Sequence, residues 1–133
     1  MAGDEVSDDK KYAHRWDVLA EVNAERVRQD AKWGEQNHPD VDPHMAEEYT
    51  PAIVAHTVYG IPAADTAKRL CDEAAKAGEC TWAHILVEEV AEAVDAACQV
   101  QKGVDIDALR NEILQVAAVA VSWVEAIDRR GNK

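Results

Sequence analysis

LVEEVAEAVDAA, residues 86–97, interleaves Leu86, Val87, Val90, Ala91, Val94 and Ala97 with four carboxylates, Glu88, Glu89, Glu92 and Asp95. The apolar spacing is that of an α-helix. At about 100° per residue, Glu92 lies roughly 40° from Glu88 and 60° from Glu89, and Asp95 falls about 20° beyond Glu88 on the other side. All four acids therefore share one side of the helix. Like charges at these spacings destabilise an isolated helix, so the pattern needs an offsetting interaction.

Working outward, Thr81 is placed to cap this helix, which is expected over residues 82–102 and ends at Gly103. Asp105 or Asp107 should cap a following helix that runs to about residue 129, where Arg129, Arg130 and Gly131 close it. The link between the two is too short for anything but an antiparallel hairpin. If the chain turns near Val104, residue 92 comes level with about residue 116, bringing Glu112 and Gln115 within roughly one turn of Glu92. Residues 113–124, ILQVAAVAVSWV, carry no charge and fall far short of the roughly 20 residues that span a bilayer. They read as a buried helix in which Gln115 needs a polar partner. This surface exceeds what the upstream helices can cover, so self-association is expected.

Upstream, residues 14–33 repeat apolar side chains at helical spacing and stop at Gly34, and residues 63–77 form another helix ending at Gly78. The intervening segment, 34–62, is broken by Pro39, Pro43, Pro51 and Pro62 and reads as a long functional loop, with a short helix near 52–58. Four helices without a convincing strand make the chain all-α, with a four-helix-bundle core in one domain over residues 12–133. The acidic, polar residues 1–11 lack an apolar signal-peptide core and read as a disordered tail.

Acidic residues number 26 against 14 basic ones, a formal net charge of −12. That balance argues against sequence-independent binding to nucleic acid or to anionic membranes. Cys71, Cys80 and Cys98 form an odd set without a CxxC pair, so neither a disulfide framework nor a zinc site is indicated. They read as small buried hydrophobes in a protein of the reducing cytoplasm.

Carboxylates converging from two helices into a partly buried space would take up protons unless a cation neutralised them. Oxygen-only ligands suit magnesium or manganese, and such a metal, keeping several waters, is a typical device for binding a polyphosphate. The plain alternative is a solvated acidic face on an amphipathic helix.

EEVAEAVDA followed by NEILQVAAVAVSWVEAID resembles the MazG-like branch of the all-α nucleoside triphosphate pyrophosphohydrolases, whose hallmark is EExxE on one helix and ExxD on the next. Glu88, Glu89, Glu92 and Asp95 match the first element, and Glu112 matches the Glu of the second. Gln115 stands where the family has Asp, a departure that replaces a carboxylate with a weaker, neutral amide ligand. The segments ERVRQDAKWGEQNHPD, AKRLCDEA and TWAHILVEEVAEA extend the likeness to small single-domain members.

The resemblance implies a helical bundle that forms dimers or tetramers and hydrolyses a nucleoside triphosphate to the monophosphate and pyrophosphate. It implies Mg2+ held by Glu89, Glu92, Glu112 and Asp95, with Gln115 as a weak ligand, and Glu88 orienting or deprotonating the attacking water. Trp33 and His38 would contribute to the base pocket. Lys32, Lys68, Arg69 and Arg110 are candidates for holding phosphates, and each is also readable as an ordinary surface charge. Trp33 is equally readable as a hydrophobic cap, and Trp16, Trp82 and Trp123 as core or interface residues. Two other readings fit the same residues: a nucleotide- or metal-binding sensor of this fold with little turnover, and an acidic interaction protein that imitates nucleic-acid charge.

Overall fold

The computed structural model describes residues 10–131. Most of the expected acidic tail lies outside the described residues. Beyond a helical Lys10 and Lys11, six α-helices make up the secondary structure among them: α1 Ala13–Trp33, α2 Pro43–Glu48, α3 Pro51–Tyr59, α4 Ala64–Lys76, α5 Trp82–Gln101 and α6 Ile106–Gly131. The all-α expectation holds. No helix among the described residues is long and apolar enough to cross a membrane.

The count of six rather than four comes from the segment expected to be a long loop: the short helix expected near 52–58 is α3, and α2 was not expected. Two of its prolines start helices instead of breaking the chain. Pro43 and Pro51 occupy the first turns of α2 and α3, where a missing N–H costs nothing and a fixed φ favours entry. The residue before each supplies the cap: the Asp42 carboxylate accepts from Met45 N–H at 3.1 Å, and Thr50 Oγ1 accepts from Ile53 N–H at 3.4 Å. Gly60, at φ +65°, ends α3 in the left-handed conformation, and the Ile61 N–H returns to the Ala55 carbonyl at 3.0 Å.

The chain divides into two compact units. One comprises the described residues up to His38 and those from Val121 onward. Within it, His14 Nε2 lies 2.8 Å from an Asp128 carboxylate oxygen, and Arg15 Nε donates to Glu125 at 3.2 Å. Val18 is the buried residue of α1. Trp16, expected in the core or an interface, is 64% exposed.

The second unit is Pro39–Ala120. Its core gathers Val41, Ala46 of α2, Val54 of α3, Ala97 and Cys98 of α5, and Leu109 of α6, with Met45, Val94, Ala96 and Val100 packed around them. The two short helices thus cover the C-terminal half of α5, and their burial is what orders the proline-rich segment. Along α5's other flank α4 packs extensively, with Ala67 and Cys71 buried. Thr81 caps α5 as expected, through a reciprocal box: Thr81 Oγ1 accepts from His84 N–H at 3.2 Å, and His84 Nδ1 accepts from Thr81 N–H at 3.1 Å.

One expectation about α6 is corrected. Leu109 is buried, but Ile113 and Leu114 are 53% and 50% exposed, and Gln115, Ala117, Ala118 and Ala120 are also exposed. The apolar run from residue 113 to 120 is therefore not buried within the chain. Between α5 and α6 an apolar groove of about 300 Å³ remains, lined by Val90, Ala93, Val94, Ile113 and Val116 among others. Small alanines on α5 leave this space unfilled.

Candidate functional site

The hairpin of α5 and α6 brings three carboxylates together. Glu89 and Glu92, three residues apart on α5, and Glu112, two turns into α6, each place an oxygen within 4.8 Å of the others. All three side chains are half-buried. Burial pushes the Glu89 carboxyl above its ordinary value, and the charges of Glu112 and Glu88 push it further. Burial likewise raises Glu92, followed by the charges of Glu89, Glu112 and Glu88. The Glu89 Oε2 atom is buried without a hydrogen-bond partner. A buried, unpartnered carboxylate oxygen beside two more acids is costly as it stands.

Glu88 projects about 100° around α5 from Glu89, so that its charge acts both on the three acids and on residues of α4. On α4 its carboxylate helps to push the Cys71 thiol up and adds to the field felt by Lys68. Lys68 Nζ pairs with Asp72 at 3.2 Å, the main cause of its raised pKa, and Glu88 and Glu92 raise it further. Arg69 pairs with Glu73, one turn on, at 3.2 Å. Arg110 is exposed.

Asp95 sits apart from the three acids. Two turns beyond Glu88, its half-buried carboxyl is raised by burial and by Asp65, with Lys102 opposing the shift. It lines a cleft with Thr50, Pro51, Asp65 and Gln99, at the start of α3 and α4. Gln115 was expected within a buried run of α6. It is exposed rather than buried, because three residues of α6 turn it about 60° away from Glu112.

Lys32, Trp33 and His38 belong to the first unit, and all three are exposed. Lys32 Nζ lies 4.9 Å from the centroid of the Trp33 ring, a cation–π contact. Trp33, 54% exposed, borders a cleft with Arg26, Gln29, Asp30 and Glu35.

Two associations were not foreseen from the sequence. Asp65, in the first turn of α4, reaches Asp95's surroundings, and Cys80 approaches Cys71. Cys71 and Cys98 are buried as expected, but Cys80 is exposed, since it falls in the link between α4 and α5. The signal available was the reversal at Gly78, which returns the chain along the last turns of α4.

Compared with known proteins, the chain matches no protein-family model, no curated protein and no solved structure.

Proposed function

We propose that the protein is a magnesium-dependent nucleoside triphosphate pyrophosphohydrolase, with Glu89, Glu92 and Glu112 as the metal-holding residues. The observation that carries this reading is the meeting of these three half-buried carboxylates from two helices, with Glu89 Oε2 left without a partner. Their chemistry fits a hard divalent cation: the donors are all oxygen, negatively charged and mutually repelling. A bound magnesium or manganese ion supplies charge neutralisation to the phosphates and acidity to a water.

The chain's own residues divide the remaining work. Glu88, next to the trio yet directed around the helix from it, orients the attacking water and accepts its proton. Lys68, whose charge already senses Glu88 and Glu92, is placed to meet a phosphate by exchanging its exposed pairing with Asp72. Asp95 supports the site through the helix it shares, and Gln115 extends it along α6. The motif likeness in Glu88, Glu89, Glu92 and Glu112 selects cleavage between the α and β phosphates over other hydrolytic outcomes. The exposed apolar face of α6 and the groove beside it support assembly with a second copy of the chain. A cytoplasmic setting accords with three free thiols.

A panel of canonical and modified nucleoside triphosphates, incubated with the protein and magnesium or manganese, tests the proposal. Equal release of pyrophosphate and monophosphate is expected. Release of orthophosphate and a diphosphate, or no hydrolysis with either metal, overturns it. Tight nucleotide binding without product would select the sensor reading.

A further inference from the structure

We propose that Cys71 and Cys80 form a redox-active dithiol that closes to an intrachain disulfide by exchange with a small-molecule disulfide. Their sulfurs lie 3.8 Å apart, across the turn that joins α4 to α5. A disulfide holds its sulfurs at about 2.05 Å, so closure asks for a movement of under about 2 Å. The turn can supply it. Cys71 is fixed in the buried face of α4, whereas Cys80 is exposed in the link, its remaining sulfur contact being the Thr81 carbonyl at 3.9 Å.

The two thiols differ in a way that sets the order of events. Burial and hydrogen bonding to Glu88 and to Cys80 push the Cys71 thiol up to about 12, so it is held protonated and inaccessible. Cys80 is therefore the entry point. Its thiolate attacks one sulfur of the small disulfide, the S–S bond of the reagent breaks, and one thiolate leaves, giving a mixed disulfide on Cys80. Cys71 then releases its proton to water and attacks the Cys80 sulfur, expelling the second small thiol. The pair loses two electrons and the reagent gains them: protein dithiol plus small disulfide gives protein disulfide plus two small thiols. Proximity compensates for Cys71's low thiolate fraction in the second step, which is intramolecular. Cys98, fully buried on the opposite flank of α5, takes no part.

The test treats the full, reduced chain with oxidised glutathione, quenches with an alkylating agent and measures intact mass and peptide linkage. Wild type should lose two hydrogens, keep one alkylatable thiol of the three, and yield a peptide joining Cys71 to Cys80. Cys98→Ser should form the same bridge and retain no thiol. Cys71→Ser should stop as a glutathione adduct on Cys80, and Cys80→Ser, altered only at an exposed position, should acquire neither adduct nor bridge over the same interval. The oxidised wild type should also unfold at a higher temperature, reversibly on adding a reductant. Accumulation of a stable glutathione adduct on the wild type, bridges between chains, or three unreacted thiols would each overturn the proposal.

Discussion

Glu92 on α5 and Glu112 on α6 hold carboxylate oxygens within 4.8 Å of each other, with Glu89 completing the group. Burial and this repulsion raise the Glu89 and Glu92 carboxyls above 4.5, so the folded chain binds more protons there than the unfolded one. The stabilisation from protonation is fully present below pH 4.5 and is lost as pH rises through the raised values. In chelator, wild type should therefore lose thermal stability relative to Glu92→Gln as pH climbs from 4.5 toward neutrality, because the amide is neutral throughout. A difference between their melting temperatures that does not change with pH would show that the carboxyls are not strained.

Magnesium should reverse this order. A cation that binds the folded chain alone stabilises it by mass action, so at neutral pH the melting temperature of wild type should rise with magnesium concentration. Glu92→Gln and Glu112→Gln should melt at or above wild type in chelator, respond weakly to magnesium, and lose about 100-fold or more in pyrophosphate release. Thermal melts and product assays on the same preparations separate the two effects. Full activity in either variant would remove the trio from the chemistry.

Much of this arrangement was legible in the sequence, and the exceptions have local causes. The boundaries of α1, α4 and α5, the Thr81 cap and the hairpin followed from periodicity and capping chemistry. Glu89, Glu92 and Glu112 met because their register depends on little beyond a short link. Within 34–62 the short helix near 52–58 is legible and is α3, whereas α2 escapes a reading of proline as a breaker, although Asp42-Pro43 couples a capping residue to a proline at the helix start just as Thr50-Pro51 does. Gln115 and Asp95 are harder. Sharing one side of a helix fixes direction to within a wide arc, while the partner element, Asp65 of α4 for Asp95, depends on tertiary packing that no local pattern encodes.

Gln115 offers a separate test of how far the proposed metal centre extends along α6. Because its side chain is exposed, Gln115→Asp should change folding stability by no more than about 0.5 kcal/mol. An added carboxylate one turn from Glu112 strengthens attraction to a divalent cation, so half-maximal activity should need several-fold less magnesium. Magnesium titrations of activity in wild type and variant decide the matter. An unchanged midpoint would confine the centre to Glu89, Glu92 and Glu112.

The Thr81 cap should be worth about 1 kcal/mol, since Thr81→Ala leaves the His84 N–H without its acceptor at the entrance to the helix that carries two of the three acids. Denaturant unfolding monitored by far-ultraviolet circular dichroism measures the loss. Thr81→Ser, which keeps the oxygen, should recover most of it, whereas equal losses in both variants would assign the effect to the methyl group instead.

The two faces of α6 should respond oppositely to substitution. Leu109 is buried against Val41, Ala97 and Cys98, so Leu109→Ala removes packing inside one chain and should cost about 2–5 kcal/mol at any protein concentration. Leu114 is 50% exposed, and in an isolated chain its replacement would cost little. If a second copy covers that face, however, Leu114→Asp places a charge in an apolar interface. The variant should then run at the mass of a single chain by light scattering while keeping wild-type helicity, and the wild type should run at a multiple of that mass with a melting temperature that rises with concentration. The pairing of these results is what discriminates: a monomeric wild type at micromolar concentration, or a Leu114→Asp variant that assembles normally, would leave the apolar face of α6 without a role in self-association.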